Sequence, residues 1–453
     1  MGTHDRARAA ARDLETRLGP GRVSTSGPAY DQAIRIWNGA VAHRPAVIVH
    51  CATPSDVQAA VDAARAHGLP PSVRAGGHDW AGRALRHDGL VIDLTGMTAV
   101  AVDPDSSVAT VSGGATVAHV IAAAAPHGLV AVTGTVGHVG MAGLTLGGGY
   151  GPLGGRFGLA LDNLLAAEVV LADGRLVVAD ETHESELLWA LRGGGGNFGV
   201  VTSMRLRLHE IPGLIAGLIV YPWSQAASVL RGFADLIASA PDELTVQTGV
   251  LSGPDGSPTL FLSPAWSGPP SEGAKHIDEL TGLGTPLFSQ VAPMSYGDML
   301  GLFDAHIATG RHYSIRTRSL PAYAPEAIAA MVFAGDTRTS PLSGIAVHHF
   351  HGAAAAVPPG DTAFGERRDH FAAEIVAAWE PDGDGSAHRA WAGAVSSALE
   401  PCALPGGYPN LLGPDDRDQA ELAYGGNAGR LRAAKRRYDP DAVFSAIPLP
   451  HAD

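Results

Sequence analysis

The segment Pro71-Ser-Val-Arg-Ala-Gly-Gly-His-Asp-Trp-Ala-Gly82 runs from a short strand, Pro71–Arg74, into paired glycines and a histidine. Consecutive backbone amides in such a turn form an anion-binding concavity of the kind a pyrophosphate fills. Glycine is needed there because larger residues would block close approach to the backbone. Taken alone, a loop histidine such as His78 is more often a surface or hydrogen-bonding residue than a functional one. Upstream, Pro45–Cys51 is a short apolar strand, and Thr53 then caps a helix with Pro54 at its first position and Asp56 in its first turn. Val57, Ala60, Val61 and Ala64 fall at i, i+3, i+4 and i+7, and Gly68 ends the helix. Downstream, Leu90–Leu94 and Val108–Ser112 read as strands, followed by a helix carrying Val117, Val120, Ile121 and Ala124. Strands alternating with helices in this way predict an α/β or α+β fold with a mixed sheet.

The chain has 453 residues, enough for several sizeable cores without disulfide or metal support. Apolar residues make up 45% and charged residues 17%, which excludes a disordered polyelectrolyte. A formal charge of −14 argues against nucleic acid and anionic membranes as partners. The two cysteines, Cys51 and Cys402, give no disulfide framework and exclude a thiolate metal site, so a reducing, cytoplasmic setting is expected. The start, Met1–Leu18, reads as a charged helix without a signal-peptide core, and no run of 18 apolar residues suggests a membrane span.

Pro212 marks a boundary. Beyond it the pattern weakens, with strand-like pieces at Ile215–Tyr221, Thr245–Leu251, Thr259–Leu262 and Ile345–His351 between helices. This predicts a second sheet with covering helices. From Ala420 the chain reads as a basic amphipathic helix running into Tyr438–Phe444.

Gly149-x-Gly151-x-x-Gly154 and Gly194-x-Gly196-x-x-Gly199 both match the bare dinucleotide pattern. A Rossmann site needs a strand before the loop and a helix after it. The second copy has the reverse context, and Pro152 interrupts the first. A nicotinamide-dependent dehydrogenase therefore has only these two patterns in its favour. In His348-His349-Phe350-His351, strand alternation puts 349 and 351 on one face and 348 on the other, a weak arrangement for a metal, and no metal is expected.

Four blocks in order carry a family resemblance. They are Arg74-Ala-Gly-Gly-His78 with Gly82; Gly134-Thr135 through Leu146-Gly-Gly-Gly149-Tyr-Gly151; Leu187-Leu-Trp-Ala-Leu-Arg through Asn197-Phe-Gly-Val-Val-Thr202; and Tyr424-Gly-Gly-Asn427 with Tyr438-Asp-Pro440 leading to Phe444. Together they resemble the berberine-bridge-enzyme-like FAD-linked oxidases of the vanillyl-alcohol-oxidase superfamily, small bacterial members of the 6-hydroxynicotine-oxidase kind in particular. The resemblance implies an α+β protein. Its FAD-binding domain would comprise residues 1–211, its substrate domain residues 212–408 with an antiparallel sheet covered by helices, and a C-terminal segment, 409–453, would return to the FAD-binding domain.

It further implies FAD contacts at Arg74, Ala75, Gly76, Gly77, His78, Asp79 and Gly82; at Gly134, Thr135, Val136, Val139, Gly140, Gly143, Gly147 and Gly148; and at Gly199, Val200, Val201 and Asn427. His78 matches the family's flavin-linked histidine. Val136 stands where many members carry a second, cysteine link, so a single covalent attachment is expected. Val139 matches a position that controls oxygen access. His349 is the implied acid/base residue and Tyr408, in Gly407-Tyr-Pro-Asn410, the second candidate, with Leu411 departing from the family's aromatic residue. The implied activity is hydride transfer from a small alcohol, hemiacetal or amine to flavin, with O2 as acceptor and H2O2 as product, secondary-metabolite tailoring being one setting. A flavin-bearing cyclase and a redox-silent flavoprotein are the alternatives.

Overall fold

The computed structural model describes residues 2–450, built around three sheets. The first has the spatial order Val23–Ser24, Val47–His50, Leu90–Asp93, Pro71–Arg74, the last three strands parallel. The helix Pro54–Ala66 makes the crossover between two of them. Thr53 accepts from the Asp56 N–H while the Asp56 carboxylate accepts from the Thr53 N–H, a reciprocal cap worth ~1 kcal/mol. Val57, Ala60, Val61 and Ala64 are buried as their spacing predicts. Thr3–Leu18 buries Ala7, Ala10, Ala11 and Leu14 in the same core.

The second sheet is antiparallel, in the order Val100–Asp103, Val108–Ser112, Val200–Glu210, Leu164–Val170, Leu176–Ala179, with Leu129–Ala131 on the far end of the long strand. The strand after Gly199 confirms the reversed context of that glycine loop.

The third sheet has seven antiparallel strands in the order Phe288–Pro293, Ile215–Pro222, Pro258–Trp266, Leu244–Ser252, Gly344–Phe350, His370–Trp379, His312–Leu320. Ala226–Ile237, Pro325–Asp336 and Ser386–Leu399 supply buried side chains to a core shared with Ile345, Val347, Ala373, Ile375 and Ala377. Side chains alternate along a strand, so 346, 348, 372, 374 and 376 point the other way. That uncovered side faces the glycine loops. Arg367 and Asp162 lock the two parts with a buried bidentate pair at 2.7 and 2.9 Å.

The C-terminal segment departs from a single helix. It forms Arg417–Leu422 and Ala428–Tyr438 with a tight turn, Gly425–Asn427, between them. Gly425 has φ +49°, a left-handed conformation that interrupts the helix. At the other end the Asp439 carboxylate accepts from Lys435 Nζ and from the N–H groups of Val443 and Phe444, which fixes the chain's exit.

Candidate active site

A cavity of about 390 Å³ opens between the glycine loops and the uncovered side of the third sheet. This is a size typical of small-molecule sites. Two loops form its floor. A Cβ at Gly76 would run into the Gly140 backbone nitrogen, and a Cβ at Gly140 into that of Gly76, so only glycine at both places lets the loops touch. Ala75, Gly76, Gly77, His78 and Asp79 line the cavity from the first loop. Gly134, Thr135, Val136, Val139, Gly140 and Gly143 line it from the second, and Gly199, Val200 and Val201 from the third.

His78 is held between rings. Trp37 stacks on it at 5.0 Å between centroids, and Trp37 stacks in turn on Tyr313 of the third sheet at 3.9 Å. On its other side, Nε2 of His78 lies 2.5 Å from Nδ1 of His138. Burial, with His138 adding to it, pushes the His78 pKa down to about 3, so its imidazole is neutral at physiological pH.

Five sequence-expected contact residues do not line the cavity; they shape it. Arg74 lies 3.2 Å from Asp93, whose pKa stays low because His50, Arg74 and Thr95 together outweigh the opposing effect of burial. Gly82 packs against Val41. Gly147 and Gly148 leave room for the side chains of Asn410 and Tyr408, which a Cβ at either glycine would meet. Asn427 donates to the carbonyls of Pro359 and Thr362 at 2.6 and 3.0 Å and so ties the C-terminal segment in place.

His349, the acid/base residue that the resemblance implies, is placed differently from its neighbour His348. It does not line the large cavity. It stacks on His351 at 3.8 Å and on Phe371 at 4.9 Å, and its Nδ1 is buried without a hydrogen-bond partner. Burial, followed by the nearby His351 and His370, holds its pKa well below the ordinary histidine value. The half-buried ring is thereby held toward its neutral form. The strand brings His348 to the cavity instead, with Nε2 3.5 Å from Oε1 of Glu374 on the adjacent strand. Tyr408, the second candidate, lines the large cavity. Its hydroxyl accepts from the Gly149 N–H at 2.8 Å and from Asn410 at 3.2 Å, and burial pushes its pKa up to about 12. Tyr150 packs beside it at 4.4 Å.

Sequence reasoning missed His138, His348, Glu374 and Tyr150. Glu374 did leave a trace, as the single charge in the apolar run Phe371–Trp379. Among the described residues no group of three or more His, Cys, Asp or Glu side chains is arranged to hold a metal, and no helix is long and apolar enough to cross a membrane.

The chain matches two family descriptions, an FAD binding domain over residues 45–180 and "Berberine and berberine like" over residues 407–447. The FAD-linked oxidoreductase YvdP of Bacillus subtilis is 31% identical over 94% of this chain and 96% of its own. Among solved structures, 6-hydroxy-D-nicotine oxidase from Arthrobacter nicotinovorans superposes with a TM-score of 0.86 at 28% identity, covering 95% of this chain and 98% of that one. Glucooligosaccharide oxidase from Acremonium strictum, whose structure concerns a 6-S-cysteinyl, 8α-N1-histidyl FAD, superposes with a TM-score of 0.84 at 25% identity, covering 97% and 99%. Both ends of the chain and the fold between them thus agree with the floor of glycine loops and the sheet facing it: the chain belongs to the berberine-bridge-enzyme-like family of FAD-linked oxidoreductases.

Proposed function

We propose that this enzyme is an oxidase with FAD attached through His78, taking hydride from a small alcohol, hemiacetal or amine and passing the electrons to O2 to give H2O2. The observation that carries this reading is the pairing of two unlike walls in one cavity. Glycine loops and a neutral histidine form one wall; a carboxylate, an imidazole and a phenol form the other.

The residues present fit FAD. Gly143 has no heavy atom within 4 Å of where a Cβ would stand, so its backbone opens on free space, and the floor loops are bare enough for phosphates and a flat ring to approach. FAD, when bound, supplies the two-electron acceptor; the protein's part is to place, shield and move protons. His78, neutral and fixed by Trp37, is suited to nucleophilic attachment, as in the histidyl-linked glucooligosaccharide oxidase. Val136 has no atom that could make the second link found there.

Glu374 with His348 is the proton acceptor in this reading, in place of His349. Their side chains share one side of the sheet and one cavity edge, so either can reach a substrate hydroxyl or amine as hydride leaves the carbon. Tyr408, its pKa near 12, keeps its proton. With its oxygen already accepting from Gly149 and Asn410, it can donate that proton in a hydrogen bond that orients the substrate heteroatom. Residues 1–211 and 409–453 would form the flavin part and 212–408 the substrate part. A cytoplasmic setting is supported by Cys51 and Cys402, both unpaired.

Anaerobic mixing with a panel of alcohols, sugars and amines tests the function. A member of the panel should bleach the flavin absorbance, and admission of O2 should restore it with one H2O2 per substrate. Failure of every substrate to bleach a loaded protein would remove the oxidase reading. Acid precipitation should leave flavin in the pellet, mapped to His78, with no cysteine adduct; His78→Ala should release it.

A further inference from the structure

We infer that His138 prepares His78 for flavin attachment, fixing which ring nitrogen is nucleophilic and accepting the proton that His78 must lose. This rests on the covalent attachment through His78 proposed above. Nε2 of His78 faces Nδ1 of His138 at 2.5 Å, and the rings tilt by 38° with centroids 4.5 Å apart. Trp37 stacks 5.0 Å away on the same imidazole. His78 is half-buried in the cavity floor while His138 is exposed, so the pair leads from the cavity to solvent.

Two facing imidazole nitrogens this close share one hydrogen. When Nε2 of His78 donates to Nδ1 of His138, the lone pair of His78 is left on its own Nδ1, and that atom becomes the nucleophile. Attachment exchanges one C–H of the flavin's 8-methyl group for a C–N bond to Nδ1. One hydrogen comes from the methyl group and one from the imidazole; with two electrons they reduce O2 to H2O2, and the ring returns to its oxidised state. Once Nδ1 carries carbon, a His78 that still holds Nε2–H is cationic. Passing that proton to His138 restores neutrality, and exposure of His138 lets it reach water. His138 is thus a positioning and proton-accepting residue for assembly of the enzyme, separate from the groups on the opposite wall.

The experiment follows acid-stable flavin over time after FAD is added to protein produced with little flavin, using the unmutated chain, His138→Ala, His138→Gln and His78→Ala, each with and without added imidazole. Non-covalent FAD binding, read from absorbance, reports that each variant is folded. His138→Ala should bind FAD but form the acid-stable adduct ~100-fold more slowly, the low end of a general-base contribution, and free imidazole should restore much of the rate. His138→Gln, which accepts a hydrogen bond but takes no proton, should also be slow and should respond little to imidazole. His78→Ala should form no adduct under any condition. An adduct formed at the unmutated rate in His138→Ala, or in His138→Gln if the alanine variant does not bind FAD, overturns the role of His138 and leaves attachment intact. Flavin wholly in the acid supernatant of the unmutated protein overturns attachment itself, and the role of His138 with it.

Discussion

A proton acceptor must reach the substrate, and along the strand Gly344–Phe350 only every second side chain points toward the large cavity. His348 reaches the cavity and His349 does not. Glu374→Gln and His348→Ala should each slow flavin reduction by ~100-fold or more, as loss of a general base does, while His349→Ala should leave it within a few-fold and act mainly on stability. Stopped-flow reduction of the three variants decides this; a slow His349→Ala beside a fast Glu374→Gln would return the role to His349. Val139 is the second residue with a separable effect. It lines the cavity next to Gly140, and interiors are packed tightly enough for one methylene to close a gas path. Val139→Leu should slow reoxidation by O2 far more than reduction, with turnover kept on an artificial acceptor. Simple overpacking would instead cost ~1–3 kcal/mol of stability and affect both half-reactions alike.

Loops meeting back to back form the site's floor, and that contact depends on the missing side chains of Gly76 and Gly140. Gly140→Ala should push the two loops apart and leave the purified protein depleted of flavin, with its sheets intact by circular dichroism; full flavin content in the variant would show that the contact does not shape the site. The glycine blocks that build this floor are contiguous in sequence, which is why they were legible there, as were the helix Pro54–Ala66 and its cap. The opposite wall was not. His370–Trp379 is alanine-rich and His312–Leu320 is full of polar residues, so neither announces a strand; pairing with each other over nine residue pairs decides both. Alternation placed His348 and His349 on opposite sides correctly, but which side faces the cavity depends on the helices Pro325–Asp336 and Ser386–Leu399, far away in sequence. Glu374 was hidden for the same reason, since its worth comes from sitting beside His348 across a strand pair.

Across the whole molecule, burial sets how stability responds to acid. His78, His209, His349, His351 and His370 all have pKa values lowered chiefly by burial, to about 3 for His78 and about 4 for His209. In the unfolded chain each binds a proton near pH 6.5, so between that pH and the folded values unfolding takes up protons. Stability is therefore full above pH 6.5 and falls as pH drops toward 4, each fully neutral buried histidine adding a slope of up to ~1.4 kcal/mol per pH unit. Carboxylates with lowered pKa values, such as Asp93, add their loss only below about pH 4. The urea midpoint should thus decline well before the carboxylate range is reached. His349→Leu isolates one contributor. Any packing cost of the substitution is the same at every pH, whereas removal of the imidazole removes its share of the slope. The variant's stability should change less than the unmutated protein's between pH 6.5 and 4.5, whichever is more stable at pH 7.5. Parallel curves over that interval would mean that His349 takes up its proton in the folded state, and that its enclosure against Phe371 is looser than the stacking distance of 4.9 Å implies.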